Sequence, residues 1–254
     1  MLKSAGIQPG DTILVHSSWD RLKFAFDSPS DVVRAFTTYL GPSGTLLMPA
    51  IPNLPSTSGA PIDFDSVTSK AGLVSEVFRR MPGVRRSISN NHSVCALGPN
   101  AAFLTDSHHL STTSWDKWSP YRRIASLSNA WVVGFGVGHG LSAATALHCV
   151  ESELSDHPYF SRLFKRVTTY SYRSSFYGNG TVTQLVRRGA NYGPKLSRFF
   201  SADVLIELTE CGIDFYAVSA PKLVEQSISL GLKGNTMYLW PVPWPWLFRK
   251  GHKD

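Results

Sequence analysis

The sequence predicts an α/β fold with a mostly parallel or mixed sheet and helices packed on it. Three observations carry that expectation. From Thr12 onward, short apolar runs of strand length alternate with amphipathic runs of helix length. A β-branched run, Ala130 to Gly136, passes through a glycine-rich turn into a segment bearing His148 and Glu151. The chain has 254 residues, 43% hydrophobic and 17% charged, enough to bury a sizeable core in one domain.

The elements follow in order. Gly6 to Asp11 is turn-rich and leads into Thr12–His16, a buried-strand pattern. Asp31–Leu40 reads as a helix with Asp31 or Ser30 as its N-cap. Gly41 to Gly44 stops it, and Thr45–Met48 reads as the second strand. Residues 51–62 form a Pro/Ser loop. Gly72–Met81 is an amphipathic helix stopped by Pro82 and Gly83, Ser93–Leu97 a strand, and Ala101–Leu104 a short helix. Ser107–Trp118 is polar and bears His108 and His109, which suits a solvent-exposed loop. Ser119 and Pro120 start a helix through Ile124. After Asp156 the pattern loosens. Thr168–Tyr177 alternates and predicts a hairpin arm with Gly178–Gly180 as its turn. Ser201–Gly212 reads as a helix, Phe215–Val218 as a strand and Pro221–Leu230 as a helix. The expected organisation is one domain, 1–236, irregular from about residue 157, and an aromatic and basic tail, 237–254.

Charge and cysteines narrow the class. A net charge of +7 and a pI near 9.4 favour anionic partners and fit poorly with a polycationic one. The basic residues are scattered without a nucleic-acid-binding motif, so a nucleic-acid partner is not expected. Cys95, Cys149 and Cys211 are widely spaced, with no CxxC, and read as reduced cytosolic thiols. No signal peptide and no run of about 18 apolar residues is visible. In the tail, Trp240, Trp244, Trp246 and Phe248 lie beside Arg249, Lys250 and Lys253. Such a segment suits the inner face of a membrane, a protein partner, a dimer mate or the protein's own surface.

The chemistry concentrates at His148 and Glu151. Three residues apart on a helix, they share a face just beyond the C-terminal end of a strand, where ligands of α/β sheets sit. An imidazole beside a carboxylate suits a general base, and a surface ion pair is the plain alternative. No third or fourth ligand accompanies H-x-x-E, so no metal is expected. Gly134, Gly136, Gly138 and Gly140 miss the dinucleotide-binding spacing and read as a tight strand-to-helix turn. His16 reads as structural, and His92 as either structural or a ligand contact.

Several motifs, in order, resemble the aminoglycoside 3-N-acetyltransferase family, over about residues 2–230. They are Pro9-Gly-Asp11 leading into Leu14-Val-His-Ser-Ser18, Gly44-Thr-Leu-Leu-Met-Pro49, and Phe78-Arg-Arg-Met-Pro-Gly-Val-Arg-Arg-Ser87. His92-Ser-Val-Cys-Ala-Leu-Gly98, Ser119-Pro-Tyr-Arg-Arg-Ile124 and Thr145-Ala-Leu-His-Cys-Val-Glu151 follow. The resemblance implies a three-layer α/β/α sandwich and acetyl-CoA as cosubstrate. It also implies His148 as base, oriented by Glu151, and direct attack of an amine on the thioester without an acyl-cysteine. Thr145 or nearby backbone N–H groups would face the oxyanion. Ser17, Ser18, Arg86, Ser87, His92 and Ser93 would lie along the CoA arm, with Arg85, Arg122 and Arg123 available to its phosphates. Ser89, Asn90 and Ala144 depart from the family pattern. Together with the basic charge they favour an amino sugar carried on a nucleotide as acceptor, for surface polysaccharide synthesis. True aminoglycoside acetylation conferring resistance, or a non-catalytic nucleotide- or glycan-binding protein, are the alternatives.

Overall fold

The computed structural model describes residues 1–54, 59–244 and 248. Strand β1 (Thr12–Ser17) is followed by a turn of helix, α1 (Trp19–Leu22), and by α2 (Pro29–Leu40). Then come β2 (Thr45–Pro49), β3 (Ile62–Asp63), α3 (Leu73–Arg79), β4 (Arg85–Arg86), β5 (Val94–Leu97), α4 (Ala101–Thr105) and α5 (Pro120–Arg123). The central strand β6 (Ala130–Phe135) leads to α6 (Cys149–Glu153), and a long hairpin follows, β7 (Phe164–Ser174) and β8 (Gly178–Arg187). The chain closes through β9 (Ala190–Asn191), α7 (Pro194–Ser197), β10 (Leu205–Glu210), β11 (Ile213–Ser219), α8 (Ala220–Leu232) and β12 (Tyr238–Trp240).

Seven strands form the main sheet in the order β10-β11-β6-β1-β2-β5-β4. β1 runs parallel to β2 and β6, and the outer pairings are antiparallel. The centre is buried on both faces, which is why β1 and β2 read as continuous apolar runs. Side chains alternate between two cores. Ile13, Val15, Met48, Val133 and Phe215 meet Val32, Val33 and Phe36 of α2 and Phe78 of α3. Leu14, Leu47, Val132 and Val218 meet Leu104, Tyr121, Leu147, Cys149 and Leu223 on the other side. The result is the expected three-layer α/β/α sandwich. Gly134 lets β6 and β11 close up, because a Cβ there would lie 2.0 Å from the Tyr216 ring. A smaller sheet, β3-β7-β8, packs through Phe64, Ile88, Tyr172 and Val182.

Five local expectations are corrected. The α2 cap is Ser28, whose Oγ accepts from the Asp31 N–H ahead of Pro29. Residues 201–212 contain strand β10, not a helix. Cys211 and Gly212, both at positive φ, make a two-residue turn that folds Leu205–Glu210 back on β11. The hairpin turns at Ser175–Tyr177 rather than at Gly178–Gly180, because Asp65 binds the Ser175 N–H at 2.8 Å and its hydroxyl at 3.2 Å. His108 is buried rather than exposed. The core runs past residue 236. Met237 and Tyr238 are buried, and β12 pairs with β9. Exposure begins at Leu239, Trp240 and Val242. Trp246, Arg249, Lys250 and Lys253 of the expected tail lie outside the described residues. Among the described residues, no helix is long and apolar enough to cross a membrane.

Candidate active site

β6 ends at Phe135, and Gly136, Gly138 and Gly140 all sit at positive φ in the turn that follows. Ser142 Oγ donates to the Val137 carbonyl at 2.6 Å and braces this turn. The chain then enters a 3-10 turn, Thr145–His148, which continues as the single α turn of α6. Leu147, Cys149 and Val150 anchor it in the core beneath the sheet. That anchoring leaves His148 and Glu151 stacked on one side.

The pair is in contact. His148 Nδ1 lies 2.5 Å from Glu151 Oε1. A carboxylate only accepts, so Nδ1 carries the proton and Nε2 is the basic nitrogen. Glu151 is fully buried, while the His148 side chain keeps 11% of its surface accessible. The Tyr238 hydroxyl donates to the same Oε1. Arg187 Nε faces Oε2 at 3.6 Å. The Trp115 ring stacks on His148, centroids 4.7 Å apart and planes at 27°. Arg187 in turn lies over the rings of Trp115 and Tyr238. His92 completes the cluster, 4.6 Å from Trp115 and 6.5 Å from His148 between ring centroids. Burial and the facing His148 hold His92 well below the usual histidine range, so it stands as a neutral ring.

Other sequence-derived candidates divide into two groups. Ser17 ends β1 and Ser18 precedes α1, beside the glycine turn. Ser18, Arg21, Gly136, Val137 and Asp214 line a cavity of about 350 Å³ there, and Ser17 Oγ has no hydrogen-bond partner. Thr145 is half-buried, with a single long hydrogen bond of 3.5 Å to the Ala143 carbonyl.

Arg86, Ser87 and Ser93 are corrected to a structural clamp. Arg86 donates to the carbonyls of Ala50, Phe64 and Val67 and to Ser93 Oγ. Burial lowers its guanidinium to about 10. Ser93 Oγ donates to the Ser87 carbonyl, and Ser87 Oγ binds His108 Nδ1 at 2.8 Å. Their polar side-chain atoms are engaged inside the protein, and Arg86 also borders a cavity of about 250 Å³ with Asp65 and Arg79. Arg85 and Arg122 are likewise engaged, with Asp106 at 2.7 Å and Glu153 at 2.5 Å, and Arg123 bonds the Phe103 carbonyl.

Cys149 is buried, and burial pushes its thiol well above its ordinary range, which makes it a poor nucleophile. Among the described residues, no three His, Cys, Asp or Glu side chains come together to hold a metal ion. Sequence reasoning missed Trp115, Arg187 and Tyr238 as parts of this cluster. Trp115 left a faint trace as an aromatic in a polar loop. The other two left none, because both contact Glu151 from far along the chain, Tyr238 from 87 residues away.

Comparison with known proteins identifies the family and the fold. The sequence profile described as aminoglycoside 3-N-acetyltransferase matches residues 14–175. Aminoglycoside N(3)-acetyltransferase IV from Salmonella sp. is 35% identical over 150 residues, 59% of this chain and 55% of the relative. The chain thus spans just over half the length of that curated relative. The crystal structure of a histidine-to-alanine variant of aminoglycoside acetyltransferase AAC(3)-IVa, in complex with a gentamicin, superposes with a TM-score of 0.71. It is 25% identical, over 91% of this chain and 85% of that one. AAC-IIIb, in a binary complex with CoASH, shares the fold with a TM-score of 0.74 at 21% identity, over 92% and 94% of the two chains. Matched in sequence from residue 14 to 175 and in fold over nine-tenths of its length, this chain belongs to the aminoglycoside 3-N-acetyltransferase family.

Proposed function

We propose that this protein is an acetyl-CoA-dependent N-acetyltransferase acting on an amino group of an aminoglycoside. The 2.5 Å contact between His148 and Glu151, at the mouth of the central strand, is the observation that carries the reading. An alkylammonium is not a nucleophile. His148 Nε2 takes its proton, and Glu151 holds Nδ1 and balances the imidazolium that forms. The freed nitrogen forms the C–N bond at the thioester carbonyl as the C–S bond breaks, the second proton shed by that nitrogen goes to the departing CoA thiolate, and the proton held by His148 passes to solvent. Thr145 and backbone N–H groups of the turn before His148 face the developing oxyanion. Ser17 and Ser18, beside the cavity at the end of β1, contact the pantetheine arm, and His92 borders the reacting atoms. Relatives named for aminoglycoside acetylation, and one solved with a gentamicin, support the acceptor class.

A nucleotide-linked amino sugar is the second reading, favoured by the +7 charge and by exposed Lys165, Arg166 and Arg173 on the hairpin. Free-thiol release from acetyl-CoA with gentamicin and with a nucleotide-linked amino sugar separates the two. Faster turnover of the first supports aminoglycoside acetylation, and of the second the alternative. Full activity in H148Q overturns both. The reading also includes contact of Leu239, Trp240 and Val242, more than half exposed, with an anionic membrane face. Equal retention of W240S/V242S and the parent protein on anionic vesicles would end that part.

A further inference from the structure

The Glu151 carboxylate serves more than His148. Its Oε1 accepts from both His148 Nδ1–H and the Tyr238 hydroxyl. Its Oε2 has no hydrogen bond, and the atom facing it, Arg187 Nε, has none either; they stand 3.6 Å apart. Arg187 is not loosely placed. Its Nη1 donates to the Gly189 carbonyl at 3.1 Å, and the Asn191 amide oxygen, once turned toward it, accepts from both terminal nitrogens at 3.2 and 2.9 Å. The guanidinium also lies 5.7 Å from the Trp115 ring centre, and that ring stacks on His148. Tyr238 is fixed as the first residue of β12, its ring 6.4 Å from that of Tyr159.

We propose that Arg187 and Tyr238 are positioning residues that share the Glu151 carboxylate with His148 and so keep the imidazole an unprotonated base. This role presupposes His148 as the base of the proposed acetyl transfer. A buried carboxylate with one partner would give all its charge to that partner and favour the imidazolium. Here a phenol takes part of the negative charge through Oε1, and a guanidinium offsets more of it from the side of Oε2. Glu151 still fixes the tautomer, because Nδ1–H has no other acceptor. The groups that face the dyad from the surrounding elements are His92 from the loop before β5, Arg187 at the end of β8, Tyr238 in β12 and Tyr159 behind it. His92 is neutral, so Arg187 supplies the fixed cation next to the carboxylate. Arg187 acts through Glu151 and Trp115, and Tyr238 through Glu151.

The test is imidazole titration of His148 by NMR in the full chain, alongside kcat/KM against pH. R187Q and Y238F are each expected to raise the His148 midpoint, by roughly half a pH unit or more. The acid limb of kcat/KM moves up with it, and kcat falls roughly tenfold with KM within about twofold, well short of the loss on removing the base. R187K, which restores the charge without the fork, returns the midpoint close to that of the parent. Should R187Q unfold, Y238F and R187K carry the test. Midpoints within about 0.2 unit of the parent in folded R187Q and Y238F overturn the proposal. A shifted midpoint in a protein that acetylates no acceptor would sink the proposed activity and leave the positioning role standing.

Discussion

His148 and His108 are both buried histidines whose Nδ1 is bonded, yet their surroundings give them different properties. His108 is sealed in. Its Nδ1 meets Ser87 Oγ at 2.8 Å and its Nε2 the Ser114 carbonyl at 3.3 Å. Neither partner is charged, and burial lowers the ring to about 4. Such a ring stays neutral and ties the loop that carries Trp115 to the edge of the main sheet. His148 instead meets a carboxylate through Nδ1 and keeps a sliver of accessible surface. Burial depth and the charge of one neighbour, rather than residue type, separate a tether from the ring proposed as the base.

The largest expected effect breaks that contrast directly. H148Q should lower kcat by about 10²–10⁴-fold while its melting temperature holds, measured by thiol release and thermal denaturation. H108A should do the reverse. It leaves the Ser87 hydroxyl proton without its acceptor and the Ser114 carbonyl without its donor, a loss of roughly 1–3 kcal/mol of stability, with turnover per folded molecule largely kept. Equal kinetic losses in the two variants would erase the distinction. E151Q is expected to cost about 10²-fold or more in kcat/KM, because an amide can donate to Nδ1 and leave the proton on Nε2.

Acid sharpens the contrast next. His108 and His16 both sit near 4 in the folded protein, lowered by burial from 6.5. The unfolded chain therefore binds more protons below 6.5, and stability falls as pH drops from 6.5 toward 4. Each contributes a loss of about 2 kcal/mol between pH 7 and 5. Urea titrations at the two pH values measure it, and H108N should show a shallower slope than the parent. A parent whose stability is flat across that interval contradicts the assignment. The smallest effect is expected for W115F. It keeps an aromatic face against His148 and should change kcat less than about threefold, whereas an effect as large as that of E151Q would give Trp115 a polar role through its indole N–H, which has no partner.

The sequence made the centre of this fold legible and hid its edges. β1, β2 and β6 are buried on both faces, so their apolar runs declare themselves. His148 and Glu151 are three residues apart, so helix geometry alone places them together. β10 was illegible because Leu205–Glu210 fits either period, and only pairing with β11 decides. The hairpin turn depends on Asp65, 110 residues away from Ser175. Arg86, Ser87 and Ser93 fall within the motifs that carry the resemblance, yet their side chains bind carbonyls, one another and His108. A motif preserves structural clamps as readily as ligand contacts, and the bonding partners tell them apart.

The hydroxyl of Tyr238 reaches across 87 residues to the Glu151 carboxylate. On a ribosome, the whole sandwich and both halves of the hairpin emerge before that phenol does. Local turns such as 145–153 form early, whereas distant contacts wait for chain that has yet to appear. The cluster around His148 is therefore completed only after the rest of the sandwich has emerged, and a nascent chain stopped short of residue 238 would hold His148 and Glu151 without the phenol that donates to the carboxylate.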